Sequence, residues 1–372
     1  MKLLFFHNSL PEYRIELFEE LNKQCDVTIV ITNPQVYEKK YGFSTSKKTN
    51  FDCYFLSEGR KGFKELNDIL NQIDKYDAVE LPPLDTLREI IIGKKIISAA
   101  KKNHKKIGFF WEKWDAPKAK QPIERKIKNS ILRVIPKQIY KSADIIQAGS
   151  KSAKKYFIDN GIKTNRVIVV PDVSKTPSCA YINIRSKYKI PNDKILLLYF
   201  GRLMDQKGLD YLIKSLAILN KSSNSFFLLV VGNGDFLNYC KRLANELNIS
   251  NIEFCGAVDP RLRKNYFEQC DVFVFPGTYR GGRVDVWGLT INEAMQFYKP
   301  VVSTEAVGSA KDLIQTGVNG YVVEPENEIE LSQGIVLSLT LDKSNLIKKD
   351  KNIDKVYSYK NMAKQIINSL LD

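Results

Sequence analysis

Short apolar runs set between longer amphipathic stretches are the pattern that most limits what this chain can fold into. Lys2–Phe6, Val27–Ile31, Ala78–Leu81, Ile107–Trp111, Ile145–Ala148 and Val167–Val170 are such runs. Between them, Tyr13–Lys23 and Thr86–Asn103 repeat their apolar side chains at helical spacing. Strands buried on both faces read as continuous apolar runs, and parallel strands need a crossover, usually a helix. The alternation therefore predicts a parallel sheet covered by helices.

The pattern then restarts. Pro171–Pro191 is a polar connector without periodicity. Beyond it, Ile195–Phe200, Phe226–Val231, Ile252–Phe254, Val272–Phe275, Val301–Ser303 and Tyr321–Val323 form a second strand series. Helices are expected at Leu209–Leu219, Phe236–Leu247, Arg261–Gln269 and Thr290–Gln296. The expected fold class is α/β, with two Rossmann-like doubly wound domains over 1–185 and 186–350. A last segment, 351–372, carries a helix over about 357–371 that follows the second series. Either domain can take it, and a return to the first is open to it. Open α/β sheets bind ligands beyond the carboxyl ends of their strands, so two such domains facing one another would make a cleft.

Composition narrows the class. At 372 residues the chain is too long for one ordinary core, and with 44% hydrophobic and 27% charged residues it is globular. A net charge of +15 calls for an anionic partner without choosing among nucleic acid, lipid headgroups and an anionic substrate. Six scattered cysteines and only His7 and His104 argue against a structural zinc site and for reduced thiols in a cytoplasmic protein. The apolar run at the start is too short for a signal peptide, and the longest later one, Ile90–Ala100, is broken by Lys94 and Lys95.

Four segments carry chemistry. The run Leu196–Phe200 leads straight into Gly201-Arg202-Leu203-Met204-Asp205-Gln206-Lys207-Gly208, and a helix follows. Arg202 offers forked donors and Lys207 a mobile charge, so two cations on one strand-to-helix loop can converge on a diphosphate. A solvated basic loop before a helix has the same composition. In Asp285-Val286-Trp287-Gly288-Leu289-Thr290-Ile291-Asn292-Glu293, Gly288 precedes a helical pattern. The Leu289 and Thr290 amides then lie near a helix start, where anions bind. Asp285 and Glu293 can each address a hydroxyl, one of a sugar and one of a ribose; a helix-favouring acid and a solvent-facing Glu are the plain alternatives. Val231-Gly232-Asn233-Gly234 and Phe254-Cys255-Gly256-Ala257-Val258 end two further strands in turns that can present backbone to a ligand.

Taken together, in this order and spacing, these segments resemble retaining glycosyltransferase family 4, with its two-domain GT-B fold, most strongly over 196–326. The resemblance implies that Arg202 and Lys207 meet the donor diphosphate. It also matches Asp285 and Glu293, with Gly288 between them, to the family's paired acids, so that Glu293 holds the donor ribose and Asp285 meets the sugar. Gly201, Gly232, Gly256, Val258, Gly288, Leu289 and Thr290 would line the donor. Pro300–Thr304, Gly317–Val323 and Leu10–Arg14 also look like this family.

The chain departs from the pattern twice. The first acid is Asp285 where relatives carry Glu, and His7-Asn8-Ser9-Leu10-Pro11 stands where many relatives have a glycine-rich loop. The implied partners are a nucleoside-diphosphate sugar donor and a saccharide or lipid-linked acceptor, with no cofactor, metal or nucleic acid. Lys and Arg crowd residues 118–141 beside Ile123, Ile127, Ile131, Leu132 and Ile135, so peripheral contact with an anionic membrane at its inner face is weighed against an ordinary solvated helix. Phosphorolysis, nucleotide-sugar epimerisation and non-catalytic polyanion binding are the competing functions.

Overall fold

The computed structural model describes residues 1–36, 49–126, 134–223 and 225–371. Contacts divide the chain into two compact units: Met1–Lys113, Lys126–Asp172 and Tyr357–Asp372 in one, Trp114–Arg125 and Val173–Val356 in the other.

The sheet of the first unit contains β1 (Lys2–His7), β2 (Asp26–Ile31), β3 (Asp52–Phe55), β4 (Ala78–Leu81), β5 (Lys106–Trp111), β6 (Ile145–Ala148) and β7 (Val167–Val169). All pairs are parallel, in the order β3-β2-β1-β4-β5-β6-β7. Leu3, Leu4, Phe6, Ile29, Val79 and Phe109 are fully buried, as strands covered on both faces require. The crossover helix Leu87–Lys102 starts with a capping box, in which the Thr86 hydroxyl accepts from the Glu89 N–H and the Glu89 carboxylate accepts from the Thr86 N–H. The last helix, Tyr359–Leu371, packs on the first, Glu12–Gln24, and on β5 and β6. Its Met362, Ala363, Ile366, Ile367 and Leu370 are buried there.

The second unit repeats the design with β8 (Ile195–Phe200), β9 (Phe226–Val231), β10 (Ile252–Gly256), β11 (Val272–Phe275), β12 (Val301–Thr304) and β13 (Gly320–Val323). The order is β10-β9-β8-β11-β12-β13, again parallel throughout. Strand order reverses between β8 and β11, the position at which doubly wound sheets open a crevice for ligands.

Two differences from the sequence expectations have physical causes. Strand β3 was not expected: it is a four-residue edge strand whose side chains alternate between exposed and half-buried, so it carries no apolar run. Residues 173–185 pack with the second unit, where the Ile182 and Ile184 amides donate to the Asn265 and Gln269 side chains at 2.9 Å each. Within the basic stretch, Ile123 is 74% exposed and Val134–Ser142 is helical. Ile127, Ile131 and Leu132 lie outside the described residues, as does the side chain of Ile135, and the apolar stripe drawn through them with it. Among the described residues no helix is long and apolar enough to cross a membrane.

Candidate functional site

The loops after β8 and β11 flank the reversal point of the second sheet, and they are stitched together along their length. The Thr278 N–H donates to the Gln206 carbonyl at 2.9 Å. Arg280 donates to the Asp205 carbonyl (3.0 Å) and to Asp210 Oδ2 (2.7 Å), and Arg283 donates to Asp205 Oδ2 (2.5 Å). Gly208 makes this approach possible: its φ is +71°, and a Cβ there would overlap the Pro276 carbonyl oxygen.

Lys207 and Asp285 meet at this junction. The Lys207 ammonium donates to Asp285 Oδ2, and its Nζ stands 4.9 Å from the centre of the Phe275 ring. Asp285 is buried and held from behind: its N–H donates to the Ala306 carbonyl at 2.9 Å, and its carbonyl accepts from the Gly308 N–H at 3.0 Å. The next turn is fixed the same way. The Ser309 N–H donates to the Trp287 carbonyl (2.8 Å), and the Trp287 indole N–H donates to Asn292 Oδ1 (2.9 Å). Gly288 itself has φ +90°, with Phe275, Val307 and Ser309 packed where a Cβ would go. The helix Leu289–Met295 begins immediately after it, so the Leu289 and Thr290 N–H groups fall in a first turn that has no intrahelical acceptors for them.

Arg202 is exposed on the same loop, and its carbonyl accepts from the Tyr199 hydroxyl at 3.1 Å. Gly201, Gly232 and Gly256 extend the strand ends as one ladder: the Gly201 N–H donates to the Val231 carbonyl (2.9 Å) and the Gly232 N–H to the Gly256 carbonyl (2.8 Å). Val258, two residues beyond Gly256, is half-buried.

Glu293 is the most enclosed of the expected site residues, at 2% exposure, and not the solvent-facing acid of the plain alternative. Its Oε1 accepts from the Ser174 hydroxyl at 2.7 Å and from Arg263 Nη1 at 2.6 Å. Burial pushes its carboxyl up from the ordinary range, and the Arg263 guanidinium and the Ser174 hydroxyl pull it back. Ser174, Arg263, Arg280 and Arg283 were missed by sequence reasoning. Each acts on a partner brought close by the fold, and nothing in the local sequence distinguishes them from solvated polar residues.

The first unit has its own cluster at the carboxyl edge of its sheet. Buried Arg14 donates to Asp172 Oδ1 (2.7 Å) and Glu112 Oε1 (2.6 Å). Burial, followed by the nearby Asp172 charge, raises the Glu112 carboxyl against the pull of Arg14. At the β1–β4 reversal point, Asn8 donates to Asp85 Oδ2 at 3.0 Å. His7 is held to about 3 by burial and by Arg14, so its ring is neutral at physiological pH.

Two parallel sheets of this topology, each with its reversal point, define the GT-B fold class. A crystal structure of Anabaena HepE in complex with UDP matches over 100% of both chains at a TM-score of 0.74 and 16% identity. Within that class, residues 181–355 match the family model described as Glycosyl transferases group 1. An uncharacterized glycosyltransferase of Methanocaldococcus jannaschii is 30% identical over 191 residues, 50% of this chain and 47% of that one. A GDP-mannose-dependent alpha-(1-6)-phosphatidylinositol monomannoside mannosyltransferase of Mycolicibacterium smegmatis is 28% identical over 188 residues, 50% and 47% of the two chains. The matched region thus spans about half the length of these curated relatives.

Proposed function

We propose that the chain is a retaining glycosyltransferase that moves a sugar from a nucleoside-diphosphate sugar to a hydroxyl of a saccharide or lipid-linked acceptor in cell-surface glycan synthesis. The observation that carries this reading is the meeting of Lys207 and Asp285 at the reversal point of the second sheet, one turn before the helix start at Leu289.

A diphosphate leaving group gathers negative charge as the sugar departs. Lys207, Arg202 and the first-turn N–H groups would stabilise that charge, and being fixed beforehand they need little reorganisation. Asp285 addresses the sugar and Glu293 the ribose. The acceptor hydroxyl passes its proton to the departing phosphate, so the step needs no separate protein base. Family relatives point to both nucleotide types: the HepE structure holds UDP, and the mycobacterial relative is named for GDP-mannose.

A thermal-shift panel of UDP-, GDP- and ADP-sugars tests the reading. One donor class should raise the melting temperature progressively, since ligand at about 100 times its Kd contributes roughly 2.7 kcal/mol. Turnover of that donor should release the nucleoside diphosphate. Silence across the panel, or release of sugar phosphate instead, would overturn the proposal.

A further inference from the structure

The stretch between β5 and β6 does not stay with its strands. Both strands belong to the first unit, yet Trp114–Arg125 groups with Val173–Val356. It forms a strap closed on itself: the Lys120 N–H donates to the Pro117 carbonyl at 2.8 Å, and the Gln121 side chain donates to the Ala116 carbonyl. Both ends of the strap are fastened to the loop that carries Asp285. Arg125 Nη1 donates to the Gly281 carbonyl at 3.1 Å, and the Trp114 indole N–H donates to the Val286 carbonyl at 3.0 Å.

Trp114 completes a series. The successive carbonyls of Asp285, Val286 and Trp287 each accept a hydrogen bond, from the Gly308 N–H (3.0 Å), the Trp114 indole and the Ser309 N–H (2.8 Å). The outer two donors are backbone groups, and the middle one is a side chain brought by the strap. The surroundings are shaped to admit it. Trp114 is 6% exposed, and the Lys311 ammonium stands 5.1 Å from its ring centre. A Cβ on Gly308 would lie 2.1 Å from the Val286 oxygen and 3.3 Å from the indole nitrogen, and one on Gly282 would lie 2.9 Å from Arg125 Cδ. A carbonyl that loses its donor seeks another by rotating its peptide unit, and this one leads through Trp287 into Gly288, where φ is +90°.

We infer that Trp114 is a positioning residue of the transfer site: through the Val286 carbonyl it fixes the turn between Asp285 and the helix start at Leu289. The spacing of the sugar-side acid from the diphosphate-side amides is thereby set by a residue that the sequence places among the strands of the first unit. This rests on the glycosyl-transfer reading above. Trp114 acts through the turn alone. Lys207 and Arg202 stand on the loop after β8, so nucleotide binding keeps its cations without the indole.

Trp114→Phe keeps a ring and removes the donor, and Arg125→Met releases the other end of the strap. In hydrogen exchange of the ligand-free chain, the Asp285 and Gly308 amides, bonded to the Ala306 and Asp285 carbonyls, should exchange about tenfold faster in Trp114→Phe, with the β9 amides unchanged. With the donor sugar that the thermal-shift panel selects, kcat should fall about tenfold while the Kd of the matching nucleoside diphosphate stays within about twofold. Arg125→Met should show the same split more weakly. Unchanged exchange and kcat in Trp114→Phe would overturn the inference. So would equal losses in kcat and nucleotide affinity, the mark of a merely structural prop. If the natural chain transfers no sugar, the glycosyl-transfer reading falls by itself; faster exchange at Asp285 and Gly308 would still uphold the strap's hold on the turn, and unchanged exchange would refute it.

Discussion

Lys207 and Asp285 neutralise one another where a diphosphate would bind, so an arriving anion must share or displace an internal partner. The two residues should respond differently to substitution. If Lys207 meets the leaving group as proposed, Lys207→Ala should lower kcat/KM for the sugar donor by about 10²-fold. Asp285→Asn removes the competing carboxylate. It should bind the free nucleoside diphosphate at least as tightly as the natural chain while transferring sugar about tenfold or more slowly. Steady-state kinetics beside calorimetry separates the two effects; near-normal transfer by Lys207→Ala would remove its diphosphate role. At this scale the sequence was informative where chemistry is local. Lys207, Gly288 and Glu293 stand in short segments whose spacing can be read directly. Arg263 lies 30 residues from Glu293 and Ser174 lies 119, so only the folded chain reveals that they act on it.

Among the elements, strand β4 carries a buried acid at the centre of the first unit's sheet. Glu80 accepts from the Gln147 side chain of β6 at 3.2 Å, and Gln147 also donates to the Ser369 hydroxyl of the last helix at 3.0 Å. Burial pushes Glu80 up to about 8, against the pull of its hydrogen bonds with the Gln147 side chain and the Phe110 backbone. The folded chain therefore holds this proton above the pH at which the unfolded chain has lost it. The corresponding stability is fully present below the ordinary carboxylate value near 4.5 and is lost as pH rises toward 8. Glu80→Gln should flatten that slope, so the unfolding free energies of variant and natural chain, measured by denaturant titration, should draw apart in the variant's favour between pH 5 and about 8, by an amount on the order of a few kcal/mol. A parallel pH dependence in both chains would refute the assignment. Elements with a continuous apolar run, such as β8 and β9, were legible in the sequence because both faces are buried. Strand β3 was not, because one edge and one face lie open and its four residues leave too short a pattern. The sequence around Glu80 offers no such clue either: Glu80 interrupts Ala78–Leu81 without breaking it, and only its burial reveals a protonated core residue.

For the molecule as a whole, the return of the last helix to the first unit has the largest consequence. Six of its apolar or aromatic side chains, Tyr359, Met362, Ala363, Ile366, Ile367 and Leu370, are buried against that unit. At roughly 1.5–3 kcal/mol for each large buried side chain, the helix contributes an amount comparable to the whole stability of an ordinary domain. A double substitution, Met362→Asp with Ile366→Asp, should therefore abolish the cooperative unfolding of the first unit. Limited proteolysis should then cut within residues 1–172 while 173–356 resists; equal resistance of both would contradict the dependence. Chain order and folding order consequently part company during synthesis. The second unit can complete its core once residue 356 has left the ribosome, whereas the first, made earlier, waits for residues 359–371. Until then its sheet presents an uncovered apolar face, and chaperones that shield nascent chains would find their longest-lived target at the beginning of this one.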